Sequence, residues 1–181
     1  MSLRRAFVAA LVPLLVVLVT APAGPADARP AEPAYRGIPR TYDAALAHFN
    51  LVNDIRAVRK FVTPSGNIYC HIGGRGPKGC EISVGAVKDP DVCSGVPVAD
   101  RVGRIEFRRG RAIPVCNTDT IRKPGARVLP YGAATKFGRF ACLSERQGVT
   151  CIHLKRTEGF FLHKGCLLYT SDAADEEDSV D

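Results

Sequence analysis

The sequence contains no tryptophan, a single methionine and only 7% aromatic residues among its 181 positions. A hydrophobic core must therefore consist mainly of Val, Ile and Leu, with a few Phe and Tyr side chains. No Cys-x₂-Cys pair is present, which argues against a zinc site and against a thioredoxin-like redox centre. We accordingly expect neither a metal nor a cofactor. The hydrophobic fraction of 46% is ordinary for a folded chain, so extensive disorder is not expected.

Residues 1–28 have the features of a secretory signal peptide. Two arginines near the start precede the apolar segment 6–21, and small residues then precede two alternative cleavage points, after Ala23 and after Ala28. The apolar segment falls short of the roughly 20 residues that a transmembrane helix needs, and no later run is longer. The sequence therefore predicts export to the cell envelope or the extracellular space, with no membrane anchor after cleavage.

Residues 166–181 look foreign to the rest of the chain. Residues 166–176 resemble the in-frame translation of a transposase-type sequencing-library adapter, and the whole segment carries six acids and no base. The alternative is a genuine acidic tail of the kind that many soluble proteins have. We expect the natural chain to be interrupted near Gly165.

The stretch between these ends, residues 29–165, is strongly basic. Once the charged residues of the two ends are left out, 23 Lys and Arg and 11 Asp and Glu remain, which gives a net charge of +12. The seventh cysteine belongs to the tail, and the even number left in an exported domain indicates a disulfide framework. The six remaining cysteines are Cys70, Cys80, Cys93, Cys116, Cys142 and Cys151.

The connectivity of these cysteines is not fixed by their spacing, because six cysteines allow fifteen pairings. The simplest arrangement joins sequence neighbours across hairpins, and each such bond would contribute roughly 2–4 kcal/mol to stability. It consists of Cys70–Cys80, Cys93–Cys116 and Cys142–Cys151.

The stretch 41–165 is expected to be one mainly β domain, an antiparallel sandwich or barrel, behind a flexible Pro-rich leader (29–40). One helix is predicted over 41–60, with Thr41 as its cap. Short β-branched and aromatic runs between Gly and Pro turns then predict strands. These strands are 59–63, 67–72, 80–84, 103–108, 112–116, 136–142, 149–154 and 159–162.

The loop 71–79 is rich in glycine, and such a backbone can present N–H groups to a phosphate. Lys78, however, is followed by Gly and Cys and not by a Ser or Thr that opens a helix, which excludes a P-loop. The loop is therefore interpreted as a plain hairpin connection.

An ordered set of short motifs resembles an uncharacterised family of exported actinobacterial proteins, known only as a domain of unknown function. The resemblance covers 61–165 and implies export, disulfides and a β-rich domain, but no activity and no site residues. Its motifs are FVTPSGNIYC (61–70), CNTDT (116–120), VLPYG (128–132), CLS (142–144), GVTC (148–151) and GFF (159–161).

Positive charge is the strongest functional signal. Five arginines lie within the eleven residues 101–111, and a hairpin there would carry Arg109-Gly110-Arg111 at its tip. An anionic envelope polymer or lipid could bind such a tip. Nucleic acid is disfavoured because few aromatic residues are interleaved for stacking. The plain alternative is that the arginines keep the protein soluble. The candidate binding residues are Arg104, Arg108, Arg109 and Arg111.

Three histidines, His71, His153 and His163, are the candidates for acid–base catalysis in a small secreted nuclease or phosphodiesterase. Nothing in the sequence brings them together, and Ser65 and Ser144 lack a nucleophile-elbow context. A third alternative is a protein-docking or inhibitor-like module, which an exposed apolar patch would favour. The sequence favours a non-catalytic binding module with an anionic partner.

Overall fold

The computed structural model describes residues 37–170. The predicted signal peptide (1–28), most of the predicted leader (29–40) and residues 171–181 of the predicted tail lie outside the described residues. Within the described range, no helix is long and apolar enough to cross a lipid bilayer.

The described chain forms one helix and thirteen strands. In order they are α1 (Tyr42–Asn50), β1 (Ile55–Arg56), β2 (Lys60–Val62), β3 (Ile68–His71), β4 (Gly79–Ile82), β5 (Val87–Lys88), β6 (Arg101–Arg108), β7 (Arg111–Cys116), β8 (Arg127–Val128), β9 (Ala134–Phe137), β10 (Phe140–Glu145), β11 (Gly148–His153), β12 (Gly159–His163) and β13 (Cys166–Thr170).

These strands form two sheets. The six-stranded sheet has the order β1-β9-β10-β11-β12-β13, and the seven-stranded sheet has the order β5-β6-β4-β3-β2-β8, with β7 on β6. All pairs are antiparallel except β1 with β9 and β2 with β8. The predicted mainly β, antiparallel fold is confirmed as a sandwich, and the barrel alternative is wrong because the described strands form two separate sheets.

Two disulfides lie at the centre of this sandwich. Cys70 pairs with Cys80 across β3 and β4, and Cys142 pairs with Cys151 across β10 and β11. All four residues are fully buried, and the Sγ atoms of Cys80 and Cys151 lie 3.6 Å apart. The two bonds therefore meet where the sheets face each other.

A third disulfide, Cys93–Cys116, holds the loop before β6 against β7. It packs with Val102 in a smaller cluster beside the main core. All three predicted pairings of sequence neighbours are thus present in the structure.

Helix α1 is shorter than the predicted helix. The Thr41 side chain accepts a hydrogen bond from the Ala44 N–H at 3.1 Å, as expected of a cap, but the helix ends at Asn50 with Leu51 as its C-cap. The prediction of a helix to residue 60 is wrong because β1 continues the chain and pairs with β9. Two weak helix formers, Asn50 and Asn53, lie at this end.

Both outer faces of the sandwich are partly covered. Ala45 of α1 packs on Ala141 and Ile152 of the six-stranded sheet. On the other sheet, the segment between β7 and β8 crosses the outer face. There the Ile121 N–H donates to the Glu81 carboxylate at 2.8 Å.

The predicted strands are all present, with different boundaries. The predicted strand 136–142 is two strands, β9 and β10, separated by a turn in which Gly138 has a φ of 61°. The sequence analysis missed β1, β5 and β8, each of two residues, which give too short a pattern to detect. It also predicted no strand at the start of the tail (166–181), where β13 pairs with β12 and Leu167 packs against the core.

Candidate functional site

The β6–β7 hairpin ends in a two-residue turn. Arg108 and Arg111 are the last register partners, and Arg109 and Gly110 between them have φ values of 54° and 88°. Two central residues of positive φ match the twist of the flanking strands, as in primed hairpin turns. The predicted hairpin with an arginine-bearing tip is present.

Two further turns lie beside this hairpin turn. A Cβ at Gly110 would lie 2.5 Å from the Arg156 Cδ, so the β11–β12 turn packs directly on the tip. The β9–β10 turn joins them because the Leu154 N–H donates to the Arg139 carbonyl at 2.7 Å. Three turns thus present their cations at one end of the sandwich. We call this exposed set the arginine tip: Arg108, Arg109, Arg111, Arg139, Lys155 and Arg156.

Few carboxylates neutralise the arginine tip. Glu158 accepts a hydrogen bond from the Ala112 N–H at 3.2 Å, and Glu106 accepts one from the Arg108 Nε at 3.0 Å. Within residues 37–170, the other five cations of the tip form no ion pair. The tip therefore offers several unpaired cations on closely packed turns.

Arg104 does not belong to this surface, although the sequence analysis grouped it with the tip. It is only 6% exposed, its Nε lies 3.0 Å from the Glu106 carboxylate, and its Nη1 donates to Asp119 at 2.9 Å. The guanidinium in turn holds the pKa of the Asp119 carboxyl below its ordinary value. Arg104 therefore orients Glu106, which binds Arg108, and does not itself face a partner.

The three candidate histidines do not form one site. His71 ends β3 in the seven-stranded sheet, His153 ends β11 in the other sheet, and His163 ends β12. Since β11 and β12 are antiparallel and Ile152 pairs with Gly159, His163 lies at the opposite end of the sheet from His153. No hydrogen bond joins any two of these histidines within the described residues.

The His153 imidazole is buried and packed against an aromatic ring. Its ring lies edge-on to Phe140 at 5.1 Å, and its Nδ1 accepts a hydrogen bond from the Lys155 N–H at 3.2 Å. Burial lowers its pKa, and the nearby charges of Arg156 and Arg139 lower it further. The hydrogen bond from Lys155 to this ring therefore helps to hold the β11–β12 turn in place.

One cluster of metal-ligand side chains occurs in the part of the chain that the structure describes, formed by Cys70, Cys80 and Cys151. Their sulfurs are engaged in disulfides, so they are not thiolate ligands.

Sequence reasoning missed Arg139 and Arg156 because they are far from the arginine-rich hairpin in the chain. A signal was present for Arg156, which follows the predicted strand 149–154. Arg139 falls inside the predicted strand 136–142, where Gly138, with a φ of 61° in the structure, is the residue that could have indicated a turn. Alternate turns of an antiparallel sheet lie at the same end, which brings the two turns together.

Comparison with known proteins returned no match: no family model fits the chain, and neither a curated protein nor a solved structure is similar to it.

Proposed function

We propose that this domain is a non-catalytic binding module that acts outside the cytoplasm and holds an anionic partner at the arginine tip. The observation that carries the proposal is the convergence of three turns whose cations, apart from Arg108, form no ion pair within the described residues. Guanidinium groups bind phosphate and carboxylate oxygens through two parallel N–H bonds, which suits such a partner.

The rigidity of these turns supports binding by a preformed surface. The strands that flank the β9–β10 and β11–β12 turns belong to one sheet, and Cys142–Cys151 joins the two central strands among them, β10 and β11. Cys116 similarly ties β7 to the loop that precedes β6. Because the turns are held before a partner arrives, binding costs little ordering entropy.

Action outside the cytoplasm is supported by the three disulfides, which are typical of oxidising compartments. The signal-like N terminus and the resemblance to an exported family point in the same direction. An envelope polymer or an anionic lipid is the partner class that fits an exported protein of this charge, and nucleic acid fits less well.

The test compares two triple variants of equal charge. The tip variant is Arg109→Ser, Arg111→Ser and Arg156→Ser. The control variant removes exposed cations elsewhere, Lys88→Ser, Arg146→Ser and Lys164→Ser.

Binding to cell-wall material and to anionic vesicles is measured at low salt. A cation near an anionic surface contributes about 1 kcal/mol, so the tip variant should bind roughly a hundredfold more weakly. The control variant should bind within a few fold of the wild type. Equal losses in both variants would show that only net charge matters, and unchanged binding of the tip variant would remove the proposal.

A further inference from the structure

Two adjoining cavities of about 330 and about 340 Å³ lie at the β2 side of the seven-stranded sheet. They share Arg59 and Lys60 in their linings, and no carboxylate lines either of them. We call the two cavities together the basic groove. Its titratable lining consists of Arg59, Lys60, His71, Arg75, Lys123 and Arg127.

The fold assembles the basic groove from distant parts of the chain. Lys60 on β2 is the register partner of His71 on β3, and the parallel strand β8 places Arg127 opposite Phe61. The crossing segment before β8 adds Lys123, and the Lys60 Nζ donates to the Pro124 carbonyl at 2.6 Å. The groove therefore exists only in the folded domain.

The cations of the basic groove have no carboxylate partners. Among residues 37–170, none of Arg59, Lys60 and Arg75 forms an ion pair, and neither does Lys123 nor Arg127. In contrast, Arg56, Lys88, Arg101, Arg104 and Arg122 all lie within 4.0 Å of an acid. Five positive charges around a concave surface repel one another, and an anion bound among them would relieve that repulsion.

A histidine side chain and backbone N–H groups complete the lining. The His71 side chain is 6% exposed, lines the second cavity and forms no hydrogen bond with any described residue. The backbone N–H groups of Gly73, Gly74 and Arg75 also form no hydrogen bond within the described range. A glycine-rich backbone with free N–H groups is a recurrent phosphate-binding element.

The position of Arg59 is fixed by packing. Its guanidinium lies over the Phe137 ring, 5.6 Å from the centroid. Gly73 makes room for this ring, since a Cβ at residue 73 would collide with Phe137 side-chain atoms. Arg59 is thereby held at the boundary between the two cavities with its charge unpaired.

We propose that the basic groove binds a linear chain of phosphate groups, with successive phosphates in the two cavities and with Arg59 and Lys60 between them. Two cavities that share central cations suit a ligand with at least two anionic groups. The donors lie on β2, in the 71–79 loop and in the segment between β7 and β8, so they approach a bound group from different directions. Phosphate suits this arrangement because its oxygens accept hydrogen bonds in several directions.

The lining disfavours the other anionic macromolecules. The Phe137 ring near the groove is already covered by Arg59, so it is not free to stack a base. Val58 is the largest apolar side chain among the lining residues, which leaves nothing to insert into a lipid layer. The inference goes beyond the proposed function, because it concerns a separate set of residues, and the two can therefore fail separately.

The test uses the oxidised full chain and three phosphate probes: orthophosphate, tripolyphosphate and long-chain polyphosphate. Calorimetric titration should give an affinity that rises at least about tenfold from orthophosphate to tripolyphosphate, because two cavities are then filled. The Lys123→Ser, Arg127→Ser double variant removes one cation from each cavity. Its affinity for tripolyphosphate should fall at least about tenfold.

Two comparisons separate this site from the arginine tip. The tip variant should retain tripolyphosphate affinity within about twofold, and so should the distant control Lys88→Ser, Arg146→Ser. Arg75→Glu reverses a charge on an exposed loop that forms no ion pair, so the variant should fold normally. It changes the groove's charge by the same two units as the double variant, and its tripolyphosphate affinity should fall to a similar extent.

The opposite results would overturn the inference. One is equal affinity for orthophosphate and tripolyphosphate. Another is a loss in the tip variant as large as the loss in the groove variant. A third is tighter binding of single-stranded DNA or of anionic vesicles that depends on the groove residues. Wild-type thermal unfolding midpoints in all variants are the control for folding.

Discussion

Replacing Arg104 by methionine should destabilise the domain by about 3 kcal/mol. The Arg104 side chain is 7% exposed and that of its partner Glu106 is 6% exposed, so both charges lie away from water. Removal of one member of a buried ion pair costs about 3–5 kcal/mol, because the other charge stays buried without compensation. Arg108 still binds Glu106 at 3.0 Å, which places the expected loss at the lower end of that range.

Two matched variants isolate the physical cause. Asp119→Asn removes the exposed partner of Arg104, which is 72% exposed, so it should cost no more than about 1 kcal/mol. Arg104→Met combined with Glu106→Leu removes both buried charges and should recover most of the stability lost in the single variant.

Equilibrium unfolding in guanidinium chloride at pH 7 measures all three variants against the wild type. The reasoning fails if Arg104→Met costs less than about 1 kcal/mol, or if the double variant is no more stable than the single one. Either result would mean that Glu106 is well solvated despite its burial.

Three further predictions follow from other parts of the sandwich. Cys142→Ala with Cys151→Ala should cost about 2–5 kcal/mol in the same unfolding assay, and an unchanged midpoint would show that this bond is dispensable. Gly79→Ala should broaden or abolish cooperative unfolding, because a Cβ there would collide with the backbone of the neighbouring strand β6; a native-like melting curve would contradict this. Burial lowers the pKa of His48 from its ordinary 6.5 to about 4, so the unfolded chain binds the proton more readily than the folded one. The stability contributed by neutral His48 should therefore be complete above pH 6.5 and should decline as the pH falls toward 4. The Glu145 carboxylate, 3.5 Å from the imidazole, should moderate this loss. The His48→Gln variant should show a smaller decline in melting temperature over the same pH range. Parallel pH profiles of the two proteins would refute this assignment.

Local patterns in the sequence account for most of the fold. The cysteine pairs could be predicted because Cys70 and Cys80, like Cys142 and Cys151, directly oppose each other on adjacent strands of a hairpin. The turn at Arg109 could be predicted because a glycine follows between two β-rich runs. Such features depend on residues that are neighbours in the chain.

Features that depend on distant residues could not be predicted. Arg104 is buried because the segment after β7 covers the outer face of the seven-stranded sheet. No sequence pattern near Arg104 predicts that this distant segment will lie there. The basic groove likewise depends on the parallel pairing of β2 with β8, which is only two residues long. The end of helix α1 depends on the pairing of β1 with β9, about eighty residues later in the chain.

The central disulfides constrain the order in which the domain can be made. Because all four sulfurs are sealed between the sheets, an oxidant or an exchange enzyme reaches them only while the sheets are apart. Each hairpin must therefore acquire its bond before or during sheet docking. Once the domain is closed, these bonds exchange only through its opened state. A reducing thiol at a concentration high enough to react faster than the sheets reclose therefore measures the opening rate of the sandwich.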